Sequence, residues 1–392
     1  MLRIAVIFES SPFDRKGLFN AVHNRVKHLT ASGECEVDVF CVHSRDNALT
    51  RRLRHTPEVP FKESVAIEGI CYRLLWYRFS IIDHVAVSKF HRKPFFFQRF
   101  VTKAVELLKG YDRLVAHSFT GALLAAEASA KYGTPYFVTW HGSDVHTHPW
   151  LNPLILSQTR SLMEGAACNF FVSNALKAES DKITSAAKKD VLYNGASSMF
   201  ARLSDAERSA LREKYGLEAG EKVVAFVGNL VAVKNVSTLY GIFSRVRAQY
   251  DGPLKFWIIG DGKLRKSVEN DFASGSELPV KFWGNVPAED MPGIMNCIDV
   301  LVLPSLNEGL PLVCAEALSC GANVVGSEVG GIPEIIGKTN TVPHPEAKDD
   351  TFVSAVASKV STLLQTPEPQ SLPAYISWKS TAQKEYDCLN SL

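Results

Sequence analysis

The feature that most restricts the possible folds is a strand–helix alternation that runs to about residue 196 and then begins again. In the first half, "RIAVIF" (3–8), "VDVFCV" (37–42), "DRLVAHS" (112–118), "PYFVTWH" (135–141) and "NFFVS" (169–173) are compact apolar runs rich in β-branched and aromatic residues. Longer segments with helical spacing, at 18–31, 120–132 and 154–166, lie between them. Near-continuous apolar strands separated by helices predict a parallel sheet covered on both faces. Residues 45–93 are less regular and rich in arginine, which predicts a pair of antiparallel strands or a loop.

"VLYNGASSMF" (191–200) reads as a last strand entering a linker. "VVAFVG" (223–228), "KFWIIG" (255–260), "VKFWG" (280–284), "VLVLPS" (300–305) and "NVVGS" (323–327) then repeat the pattern. The expected fold is therefore α/β, with two doubly wound units at 1–196 and 197–377. A length of 392 residues suits two domains. Residues 378–392 read as an amphipathic terminal helix.

Charge is unevenly divided. Residues 1–196 carry 25 Lys/Arg against 18 Asp/Glu, and the remainder 18 against 23, so the net +2 hides a basic first half and an acidic second. A basic half suits an anionic partner, or simply solvated side chains. The eight cysteines include no C-x-x-C pair and several lie in apolar runs, which predicts buried thiols in a reducing compartment. The first apolar run is too short for a signal-peptide core, and no run approaches the ~18 residues of a spanning helix. The expected location is cytoplasmic, with peripheral contact at the inner face of the membrane allowed.

In open parallel sheets, ligands bind beyond the carboxyl ends of the strands. His117, His141, Gly228, Gly260, Gly284 and Ser305 stand at such ends. The strongest local signal is "PSLNEGLPLVCAEALSCGANVVGSEVGGIPEIIG" (304–337), where Glu308 and Glu316 are separated by seven residues. Pro311 suits a first helical turn and Gly321 a helix end. The helix start is expected to offer backbone N–H groups at Gly309, Leu310 and Leu312 to a phosphate. Glu308 can accept hydrogen bonds from sugar hydroxyls and Glu316 from a ribose diol. Read in isolation, the same residues make an ordinary capped helix with surface glutamates.

That segment closely resembles the signature of the retaining GT-B glycosyltransferases of glycosyltransferase family 4. "VGNLVAVKN" (227–235), "IIGDGKLR" (258–265), "VKFWGNV" (280–286), "VLYNG" (191–195), "VSNAL" (172–176) and "ISW" (376–378) resemble further family patterns in the same order. The resemblance implies a GT-B fold, with two Rossmann-like domains facing across a cleft and the terminal helix crossing back onto the first domain. It implies transfer of a hexose-type sugar, with retained anomeric configuration, from a nucleotide-sugar to a hydroxyl. A UDP-sugar is expected as donor and a glycan or lipid-linked molecule as acceptor, in bacterial envelope or capsular polysaccharide biosynthesis.

On this resemblance, Lys234 is matched to the family's phosphate-binding lysine, where charge develops on the leaving diphosphate. Asn229 stands where the family's arginine usually is and can donate hydrogen bonds without charge. The backbone N–H of Gly17, in "DRKGL", would share the diphosphate, with Arg15 or Lys16 adding charge. The family's His-Gly-x-Asp segment appears as "WHGSDV" (140–145), making His141 the matched residue at the donor sugar, with Asp144 orienting either His141 or the loop. His146 and His148 have no counterpart. No D-x-D triplet occurs, so no metal is expected. No carboxylate nucleophile is evident, which favours front-face displacement, with the departing phosphate taking the acceptor's proton and Glu308 positioning hydroxyls.

"SKFHRKPFFFQRFVTKAVELLKG" (88–110) interleaves Lys89, Arg92, Lys93, Arg99 and Lys103 with Phe90, Phe95, Phe96, Phe97 and Phe100. It suits either an anionic membrane interface or an amphipathic helix with core-facing phenylalanines. No recognition motif points to nucleic acid. Two rival readings remain. One is a non-catalytic sugar-nucleotide-binding module. The other is an amidohydrolase-like metal enzyme built on His146-x-His148, for which His344 is the only later histidine.

Overall fold

A computed structural model describes residues 1–13, 17–45, 59–78, 80–92, 94–275, 278–343 and 350–391. Arg15, Lys16, Lys93 and His344 lie outside the described residues. The chain divides into two compact units, Met1–Asn194 with Trp378–Leu392, and Gly195–Ser377.

The sheet of the first unit contains β1 (Leu2–Glu9), β2 (Cys35–Ser44), β3 (Ser64–Ile67), β4 (Ile70–Tyr77), β5 (Arg113–His117), β6 (Tyr136–Trp140), β7 (Cys168–Phe171) and β8 (Lys189–Val191). Their spatial order is β3-β4-β2-β1-β5-β6-β7-β8. All neighbours are parallel except β3 and β4. The β3–β4 hairpin resolves the irregular stretch in favour of antiparallel strands, with Glu68 and Gly69 at positive φ in its turn. Apart from the β3–β4 hairpin, strands are laid down outward from β1 in both directions, so the crossover helices cover both faces. Ile4, Val6, Phe8, Val115, Phe137 and Phe170 form the buried centre, with helix Gly17–Ala31 adding Phe19, Val22 and Val26.

The terminal helix Trp378–Asn390 belongs to this unit although it is remote in sequence. Ala382 and Leu389 join the same core. Lys384 Nζ donates to Asp190 Oδ1 (2.8 Å) and the Val191 carbonyl (2.9 Å), and Arg113 Nε donates to the Leu389 carbonyl (2.6 Å).

The second unit repeats the scheme with β9 (Lys222–Val227), β10 (Leu254–Ile259), β11 (Val280–Gly284), β12 (Val300–Leu303), β13 (Asn323–Ser327) and β14 (Thr341–Val342). The order is β11-β10-β9-β12-β13-β14, parallel throughout. Strands run outward in both directions from β9, as they do from β1 in the first unit. The switch points are therefore β1/β5 and β9/β12, and the carboxyl ends there are where an open sheet binds ligands.

The basic-aromatic segment forms two helices, Ile81–Phe90 and Phe95–Glu106. Ser80 and Asp83 make a capping box, and Asp83 Oδ1 also accepts the Phe96 N–H (3.0 Å), tying the helices together. The five phenylalanines divide between the two expected environments. Phe97 and Phe100 pack on Tyr77, whereas Phe90, Phe95 and Phe96 are exposed. No helix among the described residues is long and apolar enough to cross a membrane. All eight cysteines are free thiols and six are buried.

Candidate active site

In the second unit the carboxyl ends of β9 and β12 are joined loop to loop. The Leu306 N–H donates to the Val233 carbonyl (2.8 Å). Lys234 closes the 3-10 turn Ala232–Lys234, and Asn235 follows in the left-handed region. Lys234 thus sits in a tight turn, five residues before helix Leu239–Gln249 rather than within a helix. Its Nζ donates to Glu308 Oε1 (2.5 Å), and Ser305 Oγ donates to the same oxygen (2.7 Å). Both charged side chains are largely buried, at 22% and 10% exposure. A charge-assisted bond in that setting holds the ammonium in place before any ligand arrives.

Two glycines make this geometry possible. Gly260 lies at φ +120, and a Cβ there would fall 2.1 Å from the Gly228 carbonyl oxygen, so the turns after β9 and β10 touch backbone to backbone. Gly330 lies at φ +50, and a Cβ there would fall 1.8 Å from the Glu308 carbonyl oxygen. The Gly331 N–H donates to the Gly309 carbonyl (3.0 Å), so the 329–331 turn braces the Glu308 loop.

The following helix corrects one expectation. It spans Leu312–Ser319 with Pro311 as its cap, not in its first turn. Gly309 and Leu310 lie in the preceding loop, and of the three expected phosphate-facing amides only Leu312 belongs to the helix. Gly321, at φ +85, directly follows the C-cap, as expected. Glu316 is partly buried on this helix, and burial pushes its carboxyl up to about 7. The buried Cys314 thiol feels Glu308, Lys234 and Glu316 together, which groups the three charges around one point. Asn229 is exposed in the turn after β9, and its carbonyl accepts the Val231 N–H (2.9 Å).

The first unit presents a different site at the ends of β1, β5 and β6. Gly17 is the exposed first residue of helix Gly17–Ala31. His141, partly exposed, follows β6, and its Nε2 lies 3.0 Å from His117 Nδ1 at the end of β5. One ring donates and the other accepts. Burial, then the Arg25 charge, hold His141 down at about 3. The same causes, in the same order, with a smaller contribution from His141, hold His117 well below its ordinary value. Both rings are neutral near pH 7. The Asp144 carboxylate accepts the His141 backbone N–H (3.4 Å), so it fixes the loop rather than the imidazole. Burial raises Asp144 to about 6, against the backbone hydrogen bonds it accepts.

His148 lies edge-on to Phe119, with ring centroids 4.6 Å apart. Glu9, at the end of β1, accepts from Tyr77 Oη (2.6 Å) and Thr120 Oγ1 (2.5 Å), and its charge reaches Asp144 and His148. Sequence reasoning did not assign roles to Glu9, Ser305 or the His117–His141 contact. Of these, only the strand-end positions of His117 and Ser305 offered a signal. No group of three His, Cys, Asp or Glu among the described residues converges as a metal ion would require.

Comparison with known proteins decides the family. Residues 17–195 match the model described as glycosyl transferase 4-like domain, and residues 221–366 that described as glycosyl transferases group 1. The chain belongs to the family 4 type of GT-B glycosyltransferases. This glycosyltransferase is 24% identical over 349 residues to the putative teichuronic acid biosynthesis glycosyltransferase TuaC of Bacillus subtilis (strain 168), covering 86% of this chain and 83% of the relative. It is 27% identical to 2-deoxystreptamine glucosyltransferase of Streptomyces kanamyceticus, over 63% of this chain and 66% of that one. Its fold superimposes on Anabaena Alr3699/HepE in complex with UDP with a TM-score of 0.71, at 18% identity and complete coverage of both chains.

Proposed function

We propose that this glycosyltransferase moves a hexose from a UDP-sugar to a hydroxyl of a glycan or lipid-linked acceptor, with retention and without a metal ion. The observation that carries the reading is the Lys234–Glu308–Ser305 cluster at the switch point of the second unit. A preorganised ammonium is what a leaving diphosphate needs as its charge grows. Lys234 then stabilises the diphosphate, with the Leu312 amide and the exposed Asn229 as further donors. Glu316 accepts from the ribose diol. Glu308, already bound to Lys234, has its other oxygen for sugar hydroxyls. His141 offers a neutral hydrogen-bonding ring to the donor sugar, and the departing phosphate oxygen takes the acceptor's proton as the new glycosidic bond forms.

The relative named for teichuronic acid biosynthesis supports a bacterial polysaccharide setting. The fold neighbour solved with UDP supports a uridine donor. Thermal shift with UDP-, GDP- and ADP-sugars tests the donor. The largest stabilisation is expected from a UDP-sugar, and Glu316→Ala should abolish it. A GDP- or ADP-sugar acting alone, or an undiminished shift in the variant, would sink this assignment. Formation of a β-linked product from an α-linked donor, read by proton NMR, would remove retention.

For the acceptor we propose the lipid-linked class, on the exposed Ile82, Phe90, Phe95 and Phe96 beside Lys89, Arg92, Arg99 and Lys103. The Arg99 guanidinium lies 6.0 Å from the Phe95 ring centre. Such a surface suits anionic headgroups over an apolar layer. Flotation with anionic vesicles should recover the wild type and several-fold less of Lys89/Arg92/Arg99→Glu. Equal recovery of the two proteins argues against membrane contact.

A further inference from the structure

The first unit buries an ion pair that the chemistry above does not use. Arg25, on helix Gly17–Ala31, is 1% exposed, and Glu385, on helix Trp378–Asn390, is 0% exposed. Arg25 Nε stands 3.5 Å from Glu385 Oε2. On its other side, Arg25 Nη1 donates to Thr139 Oγ1 at 2.7 Å. Burying a guanidinium and a carboxylate is costly, and removing one partner alone is worse. A core that only needed filling would be served better by apolar side chains.

The strand register shows what the pair lies beside. Thr139 of β6 is paired with His117 of β5 in the parallel ladder. Paired residues in such a ladder point to the same face, and Thr139 and His141 are two residues apart, the repeat of a strand. Thr139, His117 and His141 therefore share the face that helix Gly17–Ala31 covers with Arg25. The guanidinium sits under the imidazole pair, anchored by Thr139 on one side and by the terminal helix on the other.

We propose that Arg25, clamped between Thr139 and Glu385, is a positioning residue that holds the His117–His141 pair in a single hydrogen-bonded arrangement. Its significance for sugar transfer rests on the reading of His141 as a donor-facing group. A fixed positive charge beside the pair opposes protonation of either ring. A proton on the accepting nitrogen would destroy the 3.0 Å bond and swing His141 away. Among the described residues, the other charged groups around the pair are Glu385 behind Arg25, Asp144 on the His141 backbone, and Glu9, whose charge reaches Asp144 and His148. Glu385 accompanies Arg25 so that its burial is tolerable. This gives the terminal helix a part in the site although it carries no substrate-facing residue.

The test uses the full chain labelled with 15N-histidine, with His117→Gln and His141→Gln assigning the two rings. Imidazole nitrogen shifts are followed from pH 8 to pH 3. In the wild type both rings are expected to stay neutral until the lowest pH. In Arg25→Gln/Glu385→Gln, which removes both charges and leaves neutral polar side chains, the pair's proton affinity should rise about tenfold, one pH unit. Arg25→Lys, which keeps the charge, should titrate like the wild type. Superimposable titrations of the wild type and the double variant would overturn the proposal.

Should the double variant not fold, Thr139→Val cuts the tether alone. Hydrogen exchange at the shared imidazole N–H should then become about tenfold faster, and unchanged exchange would be equally fatal. A purely structural role would lower Tm in these variants without moving either imidazole signal. If the titrations behave as expected but His141→Ala turns over donor like the wild type, the assignment of His141 falls and the role of Arg25 toward the pair stands.

Discussion

The two units solve the same topological problem with opposite electrostatics. At the β9/β12 end, charges are kept and paired. Lys234 meets Glu308, and both loops are pinned by close backbone contact at Gly260 and Gly330. At the β5/β6 end, charge is kept off the surface. The imidazoles are neutral, and the charges that govern them, Arg25 and Glu385, are buried beneath. A group that must meet a diphosphate benefits from standing positive charge, whereas a ring that must touch a sugar benefits from being an uncharged donor or acceptor. The same open α/β sheet supports either arrangement, because the residues beyond its strand ends are free to differ.

The largest expected effect separates the two ends directly. Lys234→Ala should lower kcat/KM by about 10² to 10³, the magnitude seen when a preorganised group is taken from developing charge. It also leaves Glu308 without its cation, so Lys234→Arg should recover part of the loss. His141→Ala, which removes one neutral hydrogen bond, should cost roughly 10- to 30-fold, of the order of a single bond. Steady-state kinetics on the donor identified by the thermal-shift screen measure both. Equal losses would erase the contrast between a charged and a neutral end.

A subtler effect concerns Glu316. Its carboxyl is raised to about 7 by burial, above the ordinary 4.5. A group raised in the folded state contributes stability that is fully present below its unfolded value and lost as pH rises through its folded value. Glu316→Gln should therefore raise the Tm of the ligand-free protein at pH 8 by a few degrees, with little change at pH 4. A ribose diol donates to the ionised form, so donor affinity should fall as pH drops below about 7. A Tm difference between variant and wild type that is constant from pH 4 to pH 8 would show that Glu316 is not held in a desolvated site.

Much of the fold was legible in the strand periods. The runs at 3–8, 37–42, 223–228 and 323–327 each became a strand of the expected sheet, because buried parallel strands must be continuously apolar. Gly321 was legible for a local reason, since a left-handed residue after a helix favours glycine. The helix start was not. Pro311 fits both a first turn and a cap by its fixed φ, and local sequence does not choose between them; in the structure it is the cap, with extended ψ. The phenylalanines of 88–110 could not be sorted from sequence, because their facing depends on where Tyr77 lies.

By itself, the sequence determined two α/β units, the strand ends at which chemistry belongs, and a family signature strong enough to name Lys234, Glu308 and His141. The first two follow from periodicity and local spacing, and the third from resemblance to the family. Tertiary structure alone decided that Lys234 holds Glu308, that His117 is the partner of His141, and that Arg25 and Glu385, 360 residues apart, meet beneath that pair. Those contacts join strand ends and helices distant along the chain, and no local pattern encodes which buried charge will face which ring. In the histidine-rich stretch at 140–149, the residue that pairs with His117 is His141, because it follows directly on the strand beside it.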